Sequence, residues 1–320
     1  MLSKKELVYL LSLAPDSAET YVVMAEATRV SKELSDGKAE VHAQFAINLA
    51  PCPCNCLFCS FAKTNGVVKE ATDLTPEHAV DYARQFEIDG ANAVFMMSTA
   101  NYPFERFIEI SQEIGKSLKP ETTLIDNVAD QRLKNAVKLK DVGFSGVYHA
   151  FRLREGKDTT LSVEKRKQSI SNFKEAGLGV GTCVEPVWPE HTNEELAEMI
   201  EFIAFFNPSY GGADRGILIP GTAMAKRGVI NEMRMTQIVS VTRLGMPRSV
   251  MGNCTREPCT LGAIGGANLF WAEVGANPRV IHNSALWGAG AFCSFVLFLP
   301  YRPIPDCAIR NHQKTCDNEE

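Results

Sequence analysis

EVHAQFAINLAPCPCNCLFCSF, residues 40–61, decides how this chain is read. Its first half, EVHAQFAINLA (40–50), alternates β-branched and polar positions and then turns apolar, which is the pattern of a strand. Its second half packs Cys52, Cys54, Cys56 and Cys59 into the loop that follows at once. Cys52, Cys56 and Cys59 have C-x₃-C-x₂-C spacing, with Phe58 just before the last. A loop of three thiolates this compact can hold three irons of a [4Fe–4S] cluster and leave the fourth iron without a protein ligand. Zinc is the rival occupant. Structural zinc sites usually pair two separated knuckles, and Cys52, Cys54 and Cys56 alternate too closely to share one tetrahedral ion comfortably.

The remaining composition agrees with an intracellular enzyme. The chain has 320 residues, 45% hydrophobic and 22% charged, enough for one sizeable core. Its formal charge of −5 and its lack of a long Lys/Arg run argue against a nucleic-acid partner and for a small-molecule substrate. MLSKKELVYLLSLAPDSAET (1–20) reads as amphipathic helix rather than signal peptide. The longest apolar run, ALWGAGAFCSFVLFLP (285–300), is shorter than a bilayer span. The expectation is a soluble, cytoplasmic protein with no membrane partner. In a reducing compartment its ten cysteines serve as metal ligands or catalytic groups rather than disulfides.

Outward from the cysteine loop, strand and helix patterns alternate. Strands are predicted at 40–50, 91–98, 121–127, 145–153, 178–187, 216–221, 247–253 and 267–273. Helices are predicted at 103–118, 129–143, 162–177, 193–206 and 230–245, with two more before residue 40. Ser162 opens one of them as a cap, with Lys165 where a capping box has Glu or Gln. Repeated βα units with short connections imply a parallel sheet, and eight of them imply an α/β fold of the (β/α)₈ TIM-barrel type, complete or nearly so. The expected organisation is an N-terminal helical extension over 1–40, a barrel over 41–280 and a C-terminal tail over 281–320. Loops that follow barrel strands build the active site, so the cysteine loop belongs on the catalytic face.

CPCNCLFC (52–59), directly after a first barrel strand, resembles the cluster loop of the radical S-adenosylmethionine (SAM) superfamily. The resemblance implies that Cys52, Cys56 and Cys59 hold a [4Fe–4S] cluster and that SAM chelates its open iron. Cleavage of the sulfonium would then give a 5′-deoxyadenosyl radical that abstracts a substrate hydrogen. Cys54 would be the spare thiol. Over about residues 40–280 the chain is most similar to the biotin synthase branch, which includes hydrogenase maturases and methylornithine synthases. MMSTANYPFERF (96–107) resembles the segment whose small residues meet the SAM amino group, placing Ser98, Thr99 and Ala100 there. VYHAFRLRE (147–155) resembles the fourth strand, where Arg152 and Glu155 would bind the SAM carboxylate and ribose; a surface salt bridge is the plainer reading. GVGTCVEP (179–186), GILIPGTAMA (216–225) and TREPCTLGAIGGANLFWAE (255–273) resemble later barrel segments.

One departure bears on function. Biotin synthases hold a sulfur-supplying [2Fe–2S] cluster on three cysteines and an arginine. An approximate alignment places Met96, Thr123, Gly181 and Met251 there, and none is a suitable ligand. Cys183, two residues past Gly181 and on the same strand face, together with Cys254 and Cys259, could instead gather an auxiliary iron–sulfur cluster at the barrel mouth. The alternative is that Cys183 packs as a small hydrophobe and the C-x₄-C pair is incidental. Cys293, Cys307 and Cys316 lie in the tail, where only Cys293 is a candidate to complete such a site. His149 is read as pointing to the barrel mouth or as a core histidine, His191 as part of a helix cap, and Trp188 and Trp271 as packing residues or walls around substrate.

These readings imply sulfur insertion at an unactivated C–H bond, with dethiobiotin the favoured substrate. The alternatives are a lipoyl synthase component, a radical SAM enzyme of cofactor assembly or skeletal rearrangement, and an iron–sulfur scaffold or electron carrier. A flavodoxin or ferredoxin would supply the electron, and the chain would act alone or as a homodimer.

Overall fold

A computed structural model describes residues 1–256 and 259–274. Two helices, α1 (Lys4–Ser12) and α2 (Ala18–Leu34), precede strand β1 (Glu40–Ala46). A short pair, β2 (Asn48–Leu49) and β3 (Thr72–Asp73), brackets the cysteine loop. The chain continues through α3 (Pro76–Ile88), β4 (Ala93–Met97), α4 (Phe104–Ser117), β5 (Thr123–Asn127), α5 (Leu133–Asp141) and β6 (Gly146–Tyr148). It then forms α6 (Val163–Glu175), β7 (Gly179–Gly181), β8 (Val184–Val187), α7 (Asn193–Phe206), β9 (Tyr210–Arg215), α8 (Glu232–Gly245), β10 (Gly252–Arg256) and β11 (Leu269–Val274).

Eight strands close a parallel barrel in the order β1, β4, β5, β6, β7, β9, β10, β11 and back to β1, with β8 extending the wall beside β9. Closure rests on two registers. Glu40 pairs with Leu269 and Phe45 with Val274 on one side, and Gly252 pairs with Tyr210 and Cys254 with Gly212 on another. This is the (β/α)₈ architecture expected from the alternating pattern.

Strand periodicity of two divides the core into two compartments. One face of the wall sends Val41, Val94, Leu124 and Val147 out to the helix layer, where they meet buried residues such as Phe107, Ile110 and Ile170. The other face sends Phe95, Ile125, Tyr148, Cys183, Tyr210, Cys254 and Trp271 into the barrel. Gly181 is small because Tyr210 fills the space beside it; a Cβ there would lie 2.0 Å from the ring. The connection between β10 and β11 is a 3₁₀ turn, Thr260–Gly265, too short to shield the barrel as a full helix would. α2 supplies that cover. Thr28 Oγ1 donates to the Ile264 carbonyl at 2.7 Å, and Ser31 Oγ donates to the Gly266 carbonyl at 2.5 Å.

Three expectations shift. The sixth strand lies at Tyr210–Arg215 instead of 216–221, because YGGADR alternates across a buried wall while GILIPG forms the loop after it. The seventh lies at Gly252–Arg256, a few residues later than its apolar signal. α3 carries no predicted counterpart, although Thr75 accepts from the His78 N–H and Pro76 follows at the first helical position. The proposed tail, with Cys293, Cys307 and Cys316, lies outside the described residues.

Candidate functional site

The cysteine loop is fixed by its own backbone. The Cys52 N–H donates to the Phe61 carbonyl at 2.6 Å, and the Lys63 N–H returns to the Cys52 carbonyl at 3.0 Å. The Cys59 N–H closes a turn on the Cys56 carbonyl at 2.9 Å. Asn65 Nδ2 bridges the Leu57 and Cys59 carbonyls at 3.2 and 2.9 Å. Asn55 takes a left-handed φ of 46°, which asparagine tolerates, and its Oδ1 accepts from the Thr64 N–H. A second segment clasps the loop from outside. The Leu57 N–H donates to the Asp158 carbonyl at 2.9 Å, and Thr160 donates to the Cys54 carbonyl through both its N–H and its hydroxyl.

The thiols suit an iron–sulfur cluster. All are free; Cys56 is buried, while Cys52 and Cys59 are half-buried, and Cys59 opens onto the central cavity. Burial pushes the Cys56 thiol up to about 12 and raises that of Cys59, so both are neutral until a cation replaces the proton. Cys52 is shifted the other way, by a hydrogen bond from Cys54 and by the N–H of Ala100. Cys54, on the donating side of that bond, is raised.

The residues proposed for SAM binding gather around this loop. Phe58 and Arg152 line the cavity, with the guanidinium 5.7 Å from the Phe58 ring centroid and 3.7 Å from Glu185. The Ser98 N–H donates to the Asn127 carbonyl. Thr99 is locked to Asn48, donating its N–H to Oδ1 at 2.9 Å and accepting from Nδ2 at 2.8 Å. Glu155 is buried. It accepts from the Thr159 hydroxyl and, at 3.2 Å, from the Arg152 N–H, and this orders the clasping segment. His149 faces the helix layer instead of the mouth. Its Nε2 lies 2.8 Å from Arg166 Nη1 and 2.9 Å from Asp130 Oδ1, and its ring packs edge-on against Phe173. Burial, with Arg166 beside it, lowers its pKa to about 3. His191 accepts from the Trp188 N–H at the turn before α7.

The proposed auxiliary cysteines divide. Cys183 and Cys254 meet inside the barrel, with Sγ atoms 2.7 Å apart and no exposed surface. Cys259 lies on the other side of the wall, 3.9 Å from the Thr236 hydroxyl of α8, and packs with the outer core. The third donor near the pair is Asp214. One donor atom each from Cys183, Asp214 and Cys254 lies within 4.8 Å of the others. Sequence reasoning missed Asp214 because it placed the strand six residues too late. On the observed strand Tyr210, Gly212 and Asp214 share one face. Gly212, with φ 149°, lets the Cys254 backbone come close; a Cβ there would lie 2.1 Å from the Cys254 carbonyl oxygen.

Between the loop and this pair is a cavity of about 160 Å³, open at its mouth. Gln44, Asn127, Arg152, Glu185, Asp214 and Arg256 give it a polar lining, and Met97, Tyr148, Trp188 and Trp271 an apolar one. Asn127 Nδ2 donates to Gln44 Oε1 at 2.7 Å across the floor. Among the described residues no helix is long and apolar enough to cross a membrane.

Residues 51–203 match the Radical SAM superfamily. "Biotin synthase 1" of Corynebacterium diphtheriae is 23% identical over 271 residues, covering 82% of this chain and 76% of that protein. The biotin synthase of Brucella ovis is 24% identical over 212 residues, and the match spans 63% of this chain and 64% of that protein. Among solved structures, methylornithine synthase (PylB) superposes with a TM-score of 0.74 at 16% identity, covering 85% of this chain and 82% of that one. The FeFe-hydrogenase maturase HydG from Carboxydothermus hydrogenoformans gives 0.72 at 18% identity, covering 85% and 68%.

Proposed function

We propose that the chain is a radical SAM enzyme similar to the biotin synthases and that it inserts sulfur at an unactivated C–H carbon of a small molecule held in the central cavity; the Radical SAM match over residues 51–203 and the similarity to biotin synthases support this reading. The [4Fe–4S] cluster and SAM that this family implies supply a 5′-deoxyadenosyl radical when bound. Cys52, Cys56 and Cys59 are the cluster ligands in this reading. Phe58, Ser98, Thr99 and Arg152 form the SAM cradle, with Glu155 buried behind it. Arg152 offers its guanidinium to the SAM carboxylate, and Glu155 keeps the clasping segment in place. Trp188 and Trp271 wall off water from the radical. The observation that carries sulfur insertion is the buried Cys183–Cys254 pair beneath the cavity that holds substrate. Asp214, the third donor beside the pair, lines that cavity and separates the thiols from it. A flavodoxin- or ferredoxin-type donor in the cytoplasm reduces the cluster.

Anaerobic reconstitution with SAM and dethiobiotin tests this reading. Biotin and 5′-deoxyadenosine are the expected products. Cys56→Ala should abolish both, and Cys183→Ser should abolish biotin while SAM cleavage continues. SAM cleavage without biotin from the unaltered protein would overturn sulfur insertion into dethiobiotin.

The charged lining favours a second reading. Arg152, Glu185, Asp214 and Arg256 suit a zwitterionic amino acid better than a long alkyl chain. A rearranging or cofactor-assembling radical SAM enzyme would use such a substrate without sulfur transfer. Deuterium from a labelled amino acid appearing in 5′-deoxyadenosine would favour it.

A further inference from the structure

We infer that Cys183, Cys254 and Asp214 form a binding site inside the barrel for a single thiophilic divalent metal ion, distinct from the cysteine loop. The three donor atoms lie within 4.8 Å of one another and all three residues are buried. Two soft thiolates with one carboxylate match the ligand preference of Zn²⁺ or Fe²⁺. A tetrahedral ion with about 2.3 Å metal–sulfur bonds needs its sulfurs about 3.8 Å apart. The two Sγ atoms stand 2.7 Å apart, so a small opening of the side chains reaches that shell.

The surroundings favour one ion over a cluster. A two-iron cluster spreads its terminal ligands over two metals and needs a fourth protein donor. The third thiol that the spacing suggested, Cys259, is on the far side of the strand wall. Tyr210 is fully buried against the pair, and the Cys254 backbone occupies the space beside Gly212. Asp214 also lines the cavity, whereas both thiols are shut off from it, so the coordination position left open by the protein faces the substrate space. A bound ion would deprotonate both thiols and hold a sulfur or oxygen atom of a ligand at the cavity floor. The site uses the same thiols as the sulfur-insertion reading but stands independently of it, because ion binding and biotin formation are separate measurements.

The test is a Co²⁺ titration of the full-length chain carrying Cys52→Ala, Cys56→Ala and Cys59→Ala, kept reduced and anaerobic. The expected result is one Co²⁺ per chain with thiolate-to-cobalt charge-transfer absorption and tetrahedral d–d bands, displaced by Zn²⁺. Adding Cys183→Ser or Cys254→Ser should roughly halve the charge-transfer intensity. Adding Asp214→Asn should keep that absorption but weaken binding at least tenfold, about 1.4 kcal/mol. Absence of the charge-transfer band, or a band unchanged by Cys183→Ser, overturns the site. So does an iron–sulfur spectrum that forms on this background with iron and sulfide and is lost in Cys183→Ser. Should the serine variants not fold, Asp214→Asn decides, and unchanged affinity there refutes the proposal.

Discussion

At the scale of single residues, two positions show how little slack the barrel interior leaves. Gly181 faces the Tyr210 ring so closely that a Cβ would lie 2.0 Å from it. Gly181→Ala should therefore destabilise the protein by at least about 2 kcal/mol, through overpacking that a dense core cannot absorb. Tyr210→Leu in the same chain should recover part of that loss, which denaturant unfolding of the single and double variants would measure. His149 gives a pH dependence. Its folded pKa, about 3, lies below the ordinary value of 6.5 because burial disfavours the imidazolium. The unfolded chain therefore binds the extra proton first as the medium turns acid. The contribution is complete above about pH 6.5 and is lost on the way down, at up to about 1.4 kcal/mol per pH unit. Urea midpoints should fall between pH 7 and 5, and His149→Gln should flatten that slope. The candidate cluster cysteines were legible because their spacing is local. Asp214 was not, because an aspartate in a glycine-rich strand carries no periodic apolar signal.

Whole elements were read best where hydrophobic period and capping chemistry agree. α7 begins with a complete capping box, Thr192 Oγ1 accepting from the Glu195 N–H and Glu195 accepting from the Thr192 N–H. Its predicted span, 193–206, is the observed one. Glu195 also receives Arg154 at 2.7 Å, tying the helix to the segment that clasps the cysteine loop. Thr192→Ala should cost about 1 kcal/mol and lower the melting temperature by about 2–3 °C in a calorimetric scan. Strands fared less well. β9 has two glycines and two charged residues in its six positions, and its burial comes from neighbours on both faces. The apolar GILIPG after it gave the stronger local signal and drew the assignment forward.

For the molecule as a whole, closure is the decisive event. β11 pairs with β1 over six residues and with β10 over three, so it joins the two ends of an otherwise open sheet. A chain stopped after Gly266 would expose the hydrogen-bonding edges of β1 and β10. It should fail to unfold cooperatively and should aggregate, as light scattering and a denaturant titration would show. The alternating βα pattern and the cysteine loop at its first strand end were determined by the sequence alone, because each depends on contacts within a few residues. Only the tertiary structure decided that Cys183 and Cys254 meet while Cys259 does not, that Asp214 joins them, and that His149 turns away from the mouth. Those outcomes depend on which side of a strand faces the barrel and on the register between strands distant in sequence. A one-residue shift in either reverses them, and no local pattern fixes it.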